Sequence, residues 1–179
     1  MFATALRYGA ISGAIVIGVL ILGITIAEGG GHGHGFASQW FGYLVMIVAL
    51  SMIFLAIREH RNKALGGVIK FLPAFGLGLL VAAIAGIAYV IGWEIYLAAT
   101  NYTFMDNYTA QMIQQKQAAG VSAAELEAFA AQMNEMKVMY ANPLFRLPMT
   151  FIEIFPVGLL IALISAAILR NPKVLPARA

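Results

Sequence analysis

Apolar residues fall along this chain in four long runs, at about residues 5–27, 40–57, 71–99 and 147–169. At 1.5 Å per helical residue each run is long enough to cross about 30 Å of hydrocarbon, and each predicts a membrane-spanning helix. The polar stretches between them differ in character. A Gly/His-rich loop, residues 28–38, separates the first two runs. A short basic connection with Arg58, Arg61, Lys63 and Lys70 against one acid, Glu59, separates the second and third. The segment 100–146 separates the third and fourth, and a tail with Arg170, Lys173 and Arg178 follows the fourth.

The segment 100–146 has a pattern of its own. Ser122-Ala123-Ala124-Glu125 reads as a capping box that opens a helix. Leu126, Phe129, Met133, Met136 and Tyr140 then recur at spacings of three and four, one apolar helical face. Gly120 ends a preceding helix that starts near Asp106 and carries Tyr108 and Met112. Asn142-Pro143 stops the second helix, and Pro148 suits the first turn of the last span. The pattern predicts a helical hairpin whose apolar face is covered by its other helix, by the membrane surface or by a partner. The expected fold is an all-α membrane protein: four transmembrane helices, with a periplasmic helical hairpin between spans three and four. The chain is read as one domain, 1–179, with 100–146 as an extracytoplasmic insertion.

Composition agrees with lipid as the solvent. Hydrophobic residues make up 61% of the chain and charged residues 11%, against about 25% charged in soluble domains. Cysteine is absent, which removes disulfides, thiolate metal sites and cysteine nucleophiles. The first run exceeds the roughly 7–15 residues of a signal-peptide core. It leads into Glu28-Gly29-Gly30 rather than a small-residue cleavage site, so it is read as a retained span. The net charge of +3 matters less than its distribution. Arg7, Arg58, Arg61, Lys63, Lys70, Arg170, Lys173 and Arg178 fall on one side, eight of the eleven Lys and Arg. Lys116, Lys137 and Arg146 fall on the other, with Glu28, Asp106, Glu125, Glu127 and Glu135. By the positive-inside tendency both termini are expected in the cytoplasm and the hairpin outside.

Small residues line the spans at four-residue spacing: Gly9 and Gly13 on the first, Gly78, Ala82 and Gly86 on the third, Gly158, Ala162 and Ala166 on the fourth. Such stripes let backbones approach, and packing within one chain is favoured over a homodimer because a four-helix bundle needs them.

Candidate chemistry centres on two acids inside the runs, Glu94 and Glu153. An acid in a span is costly unless paired, protonated or wet. With the termini inside, both are expected about one to two turns from the outer surface, at similar depth. Glu153 lies near the N-terminal end of its helix, where the dipole favours negative charge, and Glu94 near the C-terminal end of its own, where it does not. Arg146, at the boundary of the hairpin and the membrane, is the cation to neutralise Glu94. One reading is a polar clamp of Glu94, Arg146 and Glu153 that docks the hairpin; the other is an outward-opening proton or cation site lined by Trp93, Tyr96 and Tyr102. The clamp is favoured. Pro156 frees the carbonyl of Ile152 beside Glu153 and speaks for the second reading. His32 and His34 in the Gly-rich loop, with Met133 and Met136, form a candidate copper site of imidazoles and thioethers. No HExxH motif occurs and Asp106 is the single aspartate, so neither a zinc nor an aspartyl protease is supported.

The strings Leu6-Arg7-Tyr8-Gly9, Leu65-Gly-Gly-Val-Ile-Lys70-Phe71, Gly92-Trp-Glu-Ile-Tyr96 and Asn142-Pro143 with Pro148-Met-Thr-Phe-Ile-Glu153 resemble an uncharacterised family of bacterial four-span inner-membrane proteins, a domain of unknown function. The resemblance covers nearly the whole chain. It implies a bacterial inner membrane and hence a periplasmic hairpin, and it brings no activity. The expectation is a non-enzymatic protein that binds a partner or lipid through the hairpin. A small ion- or proton-coupled transporter or channel using Glu94 and Glu153 is the alternative. No cofactor and no nucleic acid is called for; the partners expected are the bilayer, a membrane or periplasmic protein, and a second copy of the chain.

Overall fold

The computed structural model describes residues 1–28 and 39–176, and all regular structure among them is helical. The elements are α1 (Phe2–Glu28), α2 (Gln39–Leu50), α3 (Met52–Ala64), α4 (Phe71–Ala99), α5 (Phe104–Ala118), α6 (Ala123–Ala141) and α7 (Pro143–Leu169). Four stretches are long and apolar enough to cross a membrane: α1, α2 with α3, α4, and α7. The chain is thus a multi-pass membrane protein by length and composition.

Two boundaries differ from the sequence reading. The second span does not end near residue 57. It breaks at Ser51 and resumes as α3, which carries the basic connection as helix to Ala64. At the break the Ser51 hydroxyl donates to the Val48 carbonyl at 2.6 Å, while its N–H is shared between the carbonyls of Ile47 and Val48. A serine hydroxyl competing for helix carbonyls in this way loosens the regular ladder. Gly66 and Gly67 then turn the chain at positive φ, with the Gly67 N–H on the Arg61 carbonyl.

The fourth span begins at Pro143 rather than near 147. Asn142 ends α6 and caps α7, its side-chain oxygen accepting the Leu144 N–H at 3.0 Å. Pro143 therefore takes the first helical position, where its missing N–H loses nothing. Pro148 lies inside the helix rather than in its first turn.

The chain forms two compact units. The first comprises residues 1–92 and 151–179. Its core holds Leu50, Ile53, Ile57, Leu77, Val81, Ala85 and Ala166, all essentially inaccessible. The small-residue stripes are the seams of this core. A Cβ on Gly13 would stand 2.6 Å from the Ala85 carbonyl oxygen, and one on Gly158 would stand 2.7 Å from the Ala82 Cβ. They pack α1 on α4 and α4 on α7. A buried hydroxyl, Ser12, ties α1 to α2 through the Ala49 carbonyl at 3.0 Å.

One end of this unit collects the basic residues. Glu59 accepts from Tyr8 at 2.6 Å, from Lys63 at 3.1 Å, and from Arg7. Arg61 is fully buried. It donates to the carbonyls of Leu169 at 3.3 Å, Val174 at 3.0 Å, and Leu175. These bonds bring the start of α1, the end of α3 and the end of α7 together, so both ends of the described chain lie at the same end of the unit.

The second unit comprises residues 93–150. Helices α5 and α6 form a hairpin across the turn at Gly120, whose φ is +73°. Met105, Thr109 and Met133 are buried between them, and Leu126, Phe129, Met136 and Tyr140 are half-buried on the same side of α6. The face expected from the sequence is the one that α5 covers. Lys116 lies 5.3 Å from the Phe129 ring centre, and Lys137 pairs with Asp106. The capping box is complete: the Glu125 N–H donates to the Ser122 hydroxyl at 3.3 Å, and the Ser122 N–H to the Glu125 carboxylate at 3.1 Å. Those bonds from Ser122 hold the Glu125 carboxyl below the ordinary glutamate range.

Candidate functional site

The polar cluster of the second unit is built by the ends of three helices. α4 carries Trp93, Glu94 and Tyr96 in its last two turns, α6 carries Tyr140 in its last turn, and α7 carries Arg146 near its start. Asn101 and Tyr102, both at positive φ, turn the chain sharply after α4 and bring the Tyr102 N–H to the Leu97 carbonyl at 2.7 Å. The left-handed region is uncommon for tyrosine.

Arg146 is the centre of the cluster and is 4% exposed. Its Nε donates to Glu94 Oε1 at 2.6 Å and its Nη2 to Oε2 at 2.8 Å, a bidentate fork. Its Nη1 donates to the carbonyls of Tyr140 at 3.0 Å and Ala141 at 3.4 Å. The rings of Tyr102 and Tyr140 lie 5.2 and 5.8 Å from the guanidinium carbon. Trp93 donates its indole N–H to the Tyr140 hydroxyl at 2.6 Å, and it stacks on Tyr96 and meets Phe104 edge-on.

The electrostatics explain why the pair forms. Glu94 stands five residues before the end of α4, where the helix dipole opposes an anion. Arg146 stands three residues after Pro143, where the dipole of α7 opposes a cation. Each charge is disfavoured by its own helix, and each is neutralised by the other. The α6 carbonyls take up the remaining guanidinium donors, leaving Arg146 hydrogen-bonded on all three nitrogens.

Glu153 is the other acid of the apolar runs. It belongs to the first unit, where its Oε2 accepts from the Tyr89 hydroxyl at 3.2 Å. Since α7 begins at Pro143, Glu153 lies ten residues into its helix, while Glu94 lies five from the end of its own. Within the second unit Trp93, Glu94, Tyr96 and Arg146 are brought together, and within the first Glu153 meets Tyr89.

His32 and His34 lie outside the described residues. Met133 is buried against α5 and Met136 is half-buried on the same face, so both thioethers sit in the packing of the hairpin. No three His, Asp or Glu side chains converge as a metal site among the described residues.

Three participants escaped the sequence reading. Tyr140 was assigned to an apolar face, yet its hydroxyl and carbonyl serve Trp93 and Arg146. Tyr89 reads as an ordinary apolar position of α4, and nothing in the pattern announces its contact with Glu153. Arg61 was placed in a loop; its spacing of four from Ile57, continuing the buried face of α3, was the available signal.

The family described as "Protein of unknown function (DUF4199)" matches residues 7–171. No curated protein and no solved structure matches the chain.

Proposed function

We propose that this chain, which belongs to the DUF4199 family of proteins of unknown function, is a non-enzymatic integral membrane protein that binds a partner or lipid through the hairpin of α5 and α6. The observation that carries this reading is the buried Arg146–Glu94 fork, which fixes the base of the hairpin. A segment that only linked two spans would not need such an anchor. The hairpin also uses its inner face internally and leaves Val138, 73% exposed, and Met139 outward near that base. Tyr102 and Leu144 are exposed in the same unit. Apolar side chains presented by an anchored element are the chemistry of a contact surface.

We place the protein in a bacterial inner membrane, with the termini cytoplasmic and the hairpin periplasmic. The eight-to-three division of basic residues supports this orientation, as does the gathering of Arg7, Glu59, Arg61 and the α7 tail at one end. The test is a photoreactive amino acid at Val138 in cells, compared with one at Glu127. Crosslinks to one protein or to phospholipid at Val138, lost when Arg146 is changed to Met, support the reading. A folded protein with no crosslink at Val138 refutes it.

An ion- or proton-coupled channel or transporter is the second reading. It is favoured by one observation, an acid exposed on the surface of an apolar helix at Glu153. Glu94, committed to Arg146, serves that reading less well.

A further inference from the structure

The carboxyl of Glu153 occupies an unusual position. On the outer face of α7 the exposed residues from Met149 to Ile168 are Met149, Ile152, Glu153, Pro156, leucines 159, 160 and 163, Ile164, Ala167 and Ile168. Glu153 is the one polar side chain in that series. It lies ten residues from Pro143 and sixteen from Leu169, about 15 and 24 Å along the helix. A 27-residue helix is longer than about 30 Å of hydrocarbon is thick, so this position falls inside the apolar layer rather than at its edge.

Among the described residues of its unit, no cation pairs with Glu153. Within its unit, Glu153 is the only charged residue of α7, and α4 from Phe71 to Gly92 carries none, with Tyr89 its one titratable side chain besides. Apart from Glu28, the last residue of α1, the charges of α1 and α3 (Arg7, Arg58, Glu59, Arg61 and Lys63, with His60) gather where the tail is held, at the other end of α7. What the surroundings do supply is a hydroxyl. Tyr89 is 1% exposed and points at Oε2 from 3.2 Å. The approach of α7 to α4 here rests on Gly86: a Cβ at that position would stand 2.6 Å from the Phe151 ring, which stacks in turn on Phe155. The other carboxyl oxygen remains to carry a proton. Pro156, which has no N–H, frees the Ile152 carbonyl on the same turn as a further acceptor.

An ionised carboxylate facing hydrocarbon without a cation is not sustained, and protonation is the simplest way to neutralise it. We propose that Glu153 and Tyr89 form a proton-binding site that opens to the lipid: the carboxylate takes one proton to become a neutral carboxylic acid, with Tyr89 fixing its orientation. The ligand is the proton, and a small monovalent cation such as Na⁺ is the competitor that the carboxylate and the freed carbonyl would admit. The proposal deepens the second functional reading and leaves the hairpin's role untouched.

An apolar carbodiimide tests it, because that reagent reaches carboxylic acids from within lipid and reacts with their protonated form. The full-length protein is reconstituted in phosphatidylcholine vesicles, treated with dicyclohexylcarbodiimide across a pH series and mapped by mass spectrometry. Glu153 is expected to be labelled at pH 7 while Glu127 and Glu135 on the hairpin are not, and labelling should fall as pH is raised. Na⁺ should slow it at fixed pH. Tyr89→Phe, which removes a donor to the ionised form, should carry labelling to higher pH. Glu153→Gln should abolish the adduct with the melting temperature unchanged or higher, which separates loss of the site from loss of the fold. No adduct at Glu153 in the folded protein, or an adduct that appears only in the pH range of ordinary carboxylates, overturns the proposal. A second copy of the chain covering this face would give the first of those outcomes.

Discussion

Removing the guanidinium of Arg146 should destabilise the second unit by a margin that can be worked from the fork itself. Truncating one partner of a buried ion pair costs about 3–5 kcal/mol, because the other charge is left without compensation. Glu94 keeps 26% of its side chain exposed and recovers some hydration, so Arg146→Ala should cost about 2–3 kcal/mol. Part of that loss comes from the Tyr140 and Ala141 carbonyls at the end of α6, which lose their donor. Glu94→Gln leaves a buried cation but keeps one acceptor oxygen, and about 1–2 kcal/mol is expected. Pairing Glu94→Gln with Arg146→Met removes both charges and retains apolar volume, so the double variant should be more stable than the sum of the single losses by about 1 kcal/mol or more. Trp93 provides the signal, since its indole bonds to Tyr140 beside the pair. In a Trp40→Phe background, its emission would be followed during reversible denaturation in mixed micelles. Additivity within about 0.3–0.5 kcal/mol would show that the two charges do not act as a unit and would remove the anchor from the argument.

Three further outcomes are expected. A reporter fused after Ala179 should read cytoplasmic and one inserted at Gly120 periplasmic; the opposite pair of readings would invert the orientation. Ser122→Ala should cost about 0.5–2 kcal/mol in local stability of α6, measured by amide hydrogen exchange. Because Ser122 holds the folded-state ionisation of Glu125 below its ordinary range, the contribution of that carboxylate is present above the unfolded value and is lost as pH falls through the folded one; Ser122→Ala should flatten this acid limb. Gly158→Val should lower thermal stability by about 1–3 kcal/mol through overpacking of α4 against α7, whereas Gly42→Ala, which meets open space, should not.

The spans and the hairpin were legible because each obeys a period that survives without tertiary context: an unbroken apolar run, or apolar residues at spacings of three and four with a cap in front. The break at Ser51 was not, because a serine within a long apolar run is tolerated as often as it interrupts, and the outcome turns on which carbonyl its hydroxyl reaches. The start of α7 was misplaced because two prolines, Pro143 and Pro148, both suit a first turn, and apolarity pointed to the wrong one. The pairing of Glu94 with Arg146 was readable from helix dipoles and proximity to the boundary. Tyr89 and Tyr140 were not, since a tyrosine on an apolar face hides its hydroxyl until a partner is in place.

The burial of Arg61 bears on the order in which the molecule is assembled. Its guanidinium is held by carbonyls of Leu169, Val174 and Leu175 and by the neighbouring Asn62 side chain, and none of these bonds is to a carboxylate. Leu169 lies 108 residues downstream, so at about 5–20 residues per second the ribosome delivers it some 5–20 s after Arg61. During that interval the cation keeps its hydration at the polar end of a helix already in the bilayer, by reaching along its own stem toward water. The carbonyls at the end of α7 can therefore act as a latch thrown last, closing α3 only when the final helix has entered and its tail has folded back. A chain cut after Leu169 would insert all its helices and yet lose the Val174 and Leu175 carbonyls, leaving Arg61 only its contact at the end of α7 and the Asn62 side chain.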